Sequence, residues 1–431
     1  MVTKGRRGYW LRQELLSPII KFLQPALFAA AFVWRRLLFR TIFIGVTGSL
    51  GKTTAKECLA SILASHGLTF RSYRNQNAAP AVVLNILRVR PWHRFAVLEV
   101  ATGKPGDMKK SAHLLRPDLV ILLNVLRTHT TSFGRLEEHA LEKQLLLQAA
   151  KPRGIAVLNG DDPLVRPMAA FSPCKTLFFG TTPNCDYQAT QVSAKWPERL
   201  SFQVHSNSNA QSVRTQLVGA HWLGAALAAL ASADALGVSL FRGAAALRNV
   251  EPFPGRLQPL RINDRFVVLR DDYNASIDTV EASLRVMEEA RAPRRVLAIT
   301  DLSDFGTHGR YRRRYLAERA RRAAEVLVLI GKMAEYGRRR AIDAGMPEEN
   351  VHAFPSIRAA AGFLKRELKK DDLLLIKGRT TDHTARIFFA HLGAVGCWDD
   401  YCPKRMLCDT CWRLEVTPEQ MATAPVVRPP E

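Results

Sequence analysis

The stretch GVTGSLGKTT, Gly45 to Thr54, holds the residue types needed to grip a chain of phosphates. Gly48 and Gly51 let backbone N–H groups curl around phosphate oxygens, Lys52 brings a cation to the outer phosphates, and Thr53 offers a hydroxyl to Mg2+. Thr47, Ser49 and Thr54 complete the loop. The common phosphate-loop pattern has a small residue five positions before Gly51, where Val46 stands, so the match is to the variant GxTGxxGKTT. An apolar run precedes it and a helical pattern opens at Ala55, the context such a loop requires. ATP with Mg2+ is the cofactor pair these residues call for.

One further group carries chemistry. Cys397, Cys402, Cys408 and Cys411 crowd into one stretch while Cys58, Cys174 and Cys185 are scattered, which is no disulfide framework. The spacing, x4 then x5 then x2, leaves two uses open: a structural Zn2+ held by four thiolates, which the x2 half-site favours, or free thiols.

These groups need a scaffold of strands and helices. The chain has 431 residues, 47% hydrophobic and 23% charged, which is enough apolar material for two or three cored domains and excludes disorder. Runs at 42–46, 95–100, 119–123 and 155–158 read as buried parallel strands alternating with amphipathic helices. A second series begins near Arg256, with runs at 266–269, 296–299, 326–330 and 373–376. The expected fold class is therefore α/β: a central phosphate-loop domain with a mostly parallel sheet, residues 42–252, and a Rossmann-like α/β domain, residues 253–394. A Cys-rich tail, 395–431, follows, with its Pro-rich end from Ala424 expected to be disordered.

Residues 1–41 read as a basic hydrophobic appendage. Its uncharged stretch from Phe22 to Trp34 is too short to span a bilayer. Arginines and Trp10 and Trp34 bracket it, so two uses stay open: a helix lying on an anionic membrane surface, which is favoured, or one packed on the protein's own body. A phosphate loop within ten residues argues against a cleaved secretory signal and for a cytoplasmic protein, peripheral at the inner face of the membrane. The formal net charge of +23 attracts anions in general. The arginine run from Arg310 to Arg322 has the spacing of a helix with one packed face, so nucleic acid is not the expected partner.

The loop and the motifs after it resemble the Mur ligases, ATP-dependent enzymes that form amide bonds, and most of all the branch that adds D-alanyl-D-alanine during peptidoglycan precursor synthesis. The motifs run in order: LEVATGKPGD from Leu98, RPDLVILLNVLRTHTTSFG from Arg116, AVLNGDDP from Ala156, GAHWLGAALAAL from Gly219, PGR from Pro254, DDYNAS from Asp271, ITDLSDFG from Ile299 and IKGR from Ile376. The resemblance implies that ATP phosphorylates a carboxylate and that an amine then attacks the acyl phosphate. It assigns Glu99 and His129 to Mg2+, and it makes Lys143 a lysine carried as a carbamate. Arg256, Asp271, Asn274 and Lys377 would hold the nucleotide from the C-terminal domain.

Three departures bear on substrate. The family's UDP-gripping domain has residues 1–41 in its place, the loop NQNAAPAVV from Asn75 is altered, and Trp222 and Ala225 replace two asparagines, one of them near adenine. The expected function is an ATP-dependent carboxylate–amine ligase whose partners are an acid and an amino acid or peptide. The peptidoglycan reaction itself and a non-catalytic nucleotide-binding membrane scaffold are the alternatives.

Overall fold

The computed structural model describes residues 23–73, 77–126, 135–206, 209–300, 309–399, 402, 407–414 and 416–429. The chain divides into two compact units, one drawn from Leu15–Ser193 and Leu200–Glu251, the other including Ala194–Arg199 and Pro252–Glu431.

The first unit is built on a nine-stranded sheet. Its strands are β1 (Ile42–Thr47), β2 (Thr69–Arg71), β3 (Phe95–Glu99), β4 (Leu119–Leu122), β5 (Ile155–Asn159), β6 (Lys175–Gly180), β7 (Tyr187–Ser193), β8 (Ser201–Ser206) and β9 (Asn209–Arg214). They lie in the order β2-β3-β1-β4-β5-β6-β7-β8-β9. Pairing is parallel from β2 to β7 and antiparallel from β7 to β9. Strands β3 and β4 are buried along their whole length, because helices cover both faces of a parallel sheet and leave no side for polar residues. The antiparallel extension β7–β9 was not legible as a sheet, since its burial alternates and its residues are mostly polar.

Strand β1 sits between β3 and β4, so successive connections leave it in opposite directions. A crevice opens outside the carboxyl ends of such strands, and the phosphate loop, Glu99 and the segment after β4 all emerge there. The helix Lys52–Ala64 follows the loop, with the alanine-rich helix Leu223–Ala235 packed on it; small side chains permit that close approach.

The described part of the N-terminal segment is no detached appendage. Residues Gln24–Leu37 form a helix whose Ala31, with Leu38 just beyond it, joins the core of this unit. Arg35 is buried at 3% exposure because it donates to the carbonyls of Leu115 (2.6 Å) and Arg116 (2.8 Å) and pairs with Asp118. Trp34 Nε1 donates to the Val89 carbonyl. No helix among the described residues is long and apolar enough to cross a membrane.

The second unit has a six-stranded sheet: β10 (Gln258–Ile262), β11 (Phe266–Asp271), β12 (Arg294–Thr300), β13 (Val326–Ile330), β14 (Val351–Phe354) and β15 (Asp372–Lys377), in the order β10-β11-β15-β12-β13-β14. Only β10–β11 is antiparallel. The register sets Asp271 opposite Lys377 and Ile299 opposite Lys377, so β11, β12 and β15 end on one edge. The helix Gly309–Ala323 buries Ala317, Ala320 and Ala323, with Arg319 paired to Glu288. The expected disorder from Ala424 is corrected. Arg261 donates to the Pro425 carbonyl, Val427 donates to the Pro259 carbonyl, and Ala424 is buried. The edge of β10 offers unpaired backbone groups, and the tail supplies their partners.

Replacing Arg35 with alanine would strand the carbonyls of Leu115 and Arg116 and leave Asp118 with Lys151 and the Phe43 N–H. Arg35→Ala is expected to lower stability by about 2 kcal/mol, with Arg35→Lys falling between it and wild type, as measured by urea unfolding.

Candidate active site

The phosphate loop is fixed by backbone constraints before any ligand chemistry. Gly51 has φ +84° and caps the helix Lys52–Ala64. Gly48 has φ +149°, and a Cβ there would lie 2.9 Å from Leu123 Cβ, so only glycine fits. Asn124, just beyond β4, holds the loop from below. Its Oδ1 accepts from the backbone N–H groups of Ser49 (3.0 Å) and Leu50 (2.8 Å), and its Nδ2 donates to the Leu50 carbonyl. Ser49 Oγ accepts from the Leu126 N–H. The sequence reading missed Asn124; its signal was an asparagine immediately after a buried apolar strand.

Lys52 is folded back on the loop, Nζ donating to the carbonyls of Gly48 (2.7 Å) and Ser49 (3.0 Å). The ammonium is thus held over the phosphate-binding curve by two neutral dipoles. Thr47 and Thr54 are buried.

Thr53 and Glu99 meet in the structure. Thr53 Oγ1 donates to Glu99 Oε2 at 2.8 Å, and Asn77 Nδ2 donates to Oε1 at 2.7 Å. Glu99 is 2% exposed, and its own N–H is tied to Ser72 Oγ. A hydroxyl and a carboxylate beside a phosphate loop form an oxygen-only donor set, which fits Mg2+. Asn77 is the second residue that the sequence reading did not single out.

Lys143 lies in the helix Leu136–Gln148 and is 2% exposed. Its Nζ is 2.9 Å from His139 Nε2, one turn earlier. Burial pushes the amine well below the usual lysine range; the charge of Lys52 adds to this, and Glu142 opposes it. Glu142 is itself occupied by the N–H groups of Gly106 (3.1 Å) and Met108 (2.8 Å). His129 lies outside the described residues. Trp222 is buried, and Ala225 abuts the loop, where a Cβ on Gly51 would meet Ala225 Cβ at 3.6 Å.

In the second unit, Asp271 and Lys377 pair across their strands at 2.5 Å, and Ser283 Oγ donates to the same carboxylate oxygen. Both residues are buried. Burial lowers the lysine's affinity for its proton, and Asp271 works against that. As placed, Asp271 holds the strand ends together, and the outward groups of its loop are Tyr273 and Asn274. The Arg256 guanidinium stacks on Tyr273, 4.2 Å from the ring centre, while the Tyr273 N–H donates to the Gly255 carbonyl.

Beneath that loop lies a fully buried cation, Arg270. It is gripped by Asp272 (3.2 and 3.1 Å) and by Asp409 of the Cys-rich tail (2.7 and 2.9 Å). Burial works against its charge, and the two carboxylates more than offset this. Nothing in the local sequence announced this pairing across 139 positions.

The four tail cysteines line one small pocket with His383 and Arg386. Among the described residues, however, no three His, Cys, Asp or Glu side chains converge on a point that a metal could take. This departs from the four-thiolate expectation. Cys408 Sγ lies 3.1 Å from His383 Nδ1 and Cys397 Sγ accepts from Arg386, so two of the sulphurs face protein nitrogen.

The Mur ligase middle domain matches residues 46–233, and the Mur ligase glutamate ligase domain matches residues 255–380. The UDP-N-acetylmuramoyl-tripeptide--D-alanyl-D-alanine ligase of Escherichia coli (strain K12) is 29% identical over 324 residues, covering 74% of this chain and 71% of that protein. The ligase of the same name from Mycobacterium tuberculosis (strain ATCC 25618 / H37Rv) is 32% identical over 272 residues, 61% of this chain and 53% of that one. The chain thus spans between about half and seven-tenths of the length of these relatives. Among solved structures, MurF from Acinetobacter baumannii superposes with a TM-score of 0.78 at 24% identity, over 85% of this chain and 80% of that one. MurF from Thermotoga maritima in complex with ADP gives 0.72 at 22%, over 85% and 83%. At these identities the structural likeness speaks for the fold.

Removing Asp409 would leave Arg270 half-paired in the interior. Asp409→Ala is expected to destabilise the second unit by about 3 kcal/mol, seen as a lower thermal midpoint, with the triple change Arg270→Met, Asp272→Leu and Asp409→Leu recovering most of the loss.

Proposed function

The chain belongs to the Mur ligase family of ATP-dependent amide ligases, and on that premise we propose that it joins a carboxylate to an amine through an acyl phosphate. A carboxylate oxygen of the acid attacks the γ-phosphorus of ATP, the bond to the β,γ-bridging oxygen breaks, and ADP leaves. The amine nitrogen then attacks the acyl carbon, inorganic phosphate departs, and the nitrogen gives up its proton as the amide forms. The observation that carries this reading is the Glu99 carboxylate held by the Thr53 hydroxyl and the Asn77 amide N–H beside a lysine-bearing phosphate loop, since a carboxylate held there serves phosphoryl transfer.

Each residue contributes a separate part. Backbone N–H groups of the loop cradle the phosphates, and Lys52 exchanges its two carbonyl partners for γ-phosphate oxygens, where negative charge gathers in the transition state. Thr53 and Glu99 would hold Mg2+, which neutralises phosphate charge when bound. Arg256 suits a phosphate by its planar fork, and Tyr273 keeps that fork oriented. Lys143 enters as an amine that burial disposes to be neutral, the form that attacks CO2; a carbamate there would be an anion near Lys52, able to orient the metal. His139, 2.9 Å away, is placed to take the proton released.

The relatives' printed names set the first acid and amine to test, a UDP-N-acetylmuramoyl tripeptide and D-alanyl-D-alanine. ADP release with that pair, compared with smaller peptide acids and other amines, decides the substrate. ADP release that ignores every amine would overturn ligation and favour a nucleotide-binding scaffold.

Lys52→Ala is expected to reduce amine-dependent ADP release by at least 10³-fold with an unchanged thermal midpoint; near-normal turnover would remove the loop from the reaction.

For Lys143 the sign of the pH effect is set by its lowered affinity for a proton. The unfolded chain binds more protons between the folded value and the ordinary lysine range, so stability rises with pH through that window and the cost is complete below it. The neutral fraction grows in the same direction. Activity is expected to rise with added bicarbonate and with pH, and ¹³C-bicarbonate should give a carbamate carbon signal that Lys143→Arg lacks. A bicarbonate-independent enzyme without that signal would leave Lys143 an ordinary buried amine.

A further inference from the structure

The helix Gln24–Leu37 carries no charge before Arg35, yet only one of its sides is covered. Ala31 and Arg35 face the core, and Trp34 is tied to Val89. The opposite side is apolar and exposed, with Val33 at 57% and Leu37 at 60%. Two large rings stand exposed on adjoining segments: Phe39, just past the helix, at 76%, and Trp92 at 65%. They belong together, because Thr41 Oγ1 donates to the His93 carbonyl and the Ile42 N–H donates to the Arg94 carbonyl, joining the end of the helix to the turn that carries Trp92. A helix that is apolar all round is ordinarily buried, and here one side has no protein cover among the described residues.

The chain segments that carry this face hold charge of one sign. Arg40 and Arg90 stand exposed beside it, and the sequence has no aspartate or glutamate in residues 24–56 or 58–98. A second copy docking through a two-fold axis would bring the arginines of both copies into one interface, and like charges across such an interface are costly. A helix of 14 residues is about 21 Å long, too short to span a bilayer of about 30 Å but suited to lying within its surface. Apolar side chains, a tryptophan and arginines on one face form the set that sits at the headgroup boundary of an anionic membrane.

We propose that this face docks on an anionic lipid bilayer, with Val33, Leu37, Phe39 and Trp92 entering the headgroup–acyl boundary and Arg40 and Arg90 meeting lipid phosphates. Arg35, buried and bound to Leu115, Arg116 and Asp118, pins the helix to its unit. The docking therefore brings the whole phosphate-loop unit to the membrane. This reading is independent of the ligase reaction.

The test is co-sedimentation of the full chain with phosphatidylglycerol–phosphatidylcholine vesicles and with phosphatidylcholine vesicles alone. Wild type is expected to bind the anionic vesicles and to lose binding as NaCl rises from 50 to about 500 mM. Leu37→Glu and Trp92→Ala, both at exposed positions, should each weaken binding about tenfold with unchanged thermal midpoints. Arg40→Glu with Arg90→Glu should erase the preference for the anionic lipid. Wild type that ignores anionic vesicles at low salt, or Leu37→Glu binding as tightly as wild type, would overturn the proposal. So would a concentration-dependent dimer in sedimentation velocity that Leu37→Glu disperses, since the face would then belong to a second copy.

Discussion

Burying the Glu99 carboxylate at 2% exposure is costly unless donors take its lone pairs, and the phosphate-loop unit is arranged so that they do. Thr53 comes from the first turn after β1, Asn77 from the loop after β2, and Ser72 ties the Glu99 backbone from the same connection. All depend on β3 pairing with β1 in the register that sets Val46 beside Glu99. A slip of one residue would turn the carboxylate into the apolar face and leave it charged and unpaired. Correct pairing of these two strands is therefore also assembly of the candidate metal ligands.

The same logic recurs in the second unit. Lys377 and Asp271 neutralise each other at the ends of β15 and β11, while Arg270 and Asp272 alternate with them on the other side of the strand. Arg270 then recruits Asp409 from the Cys-rich tail. The tail thus closes a charge triad under the loop that carries Tyr273 and Asn274. The thiol pocket lies close by, since Cys408 precedes Asp409 in the chain and His383 follows the IKGR segment.

Arg35 shows why the N-terminal helix resists assignment from sequence. A basic residue at the end of an apolar run reads as a membrane anchor, and the run itself reads as either a packed helix or an interfacial one. In the fold, Arg35 points inward to the carbonyls that end the helix Asp107–Leu115. The opposite side stays apolar and open. Each of the two uses that the composition left open therefore has a side of the helix suited to it.

Residue types and spacing by themselves determined the phosphate loop, the two α/β series and most of the buried strands, because these are local: glycines for positive φ, apolar runs for buried parallel strands. The family resemblance added the reaction class. What only tertiary structure decided are the partnerships between distant groups: Asn124 under the loop, Asn77 on Glu99, Arg270 between Asp272 and Asp409, and the tail beside β10. The depressed amine of Lys143 belongs here too, since its burial and its nearness to Lys52 come from packing. No periodicity encodes such contacts. They arise because a buried polar group must find its partner wherever the chain's topology happens to bring one, and that choice is made in space and not along the sequence.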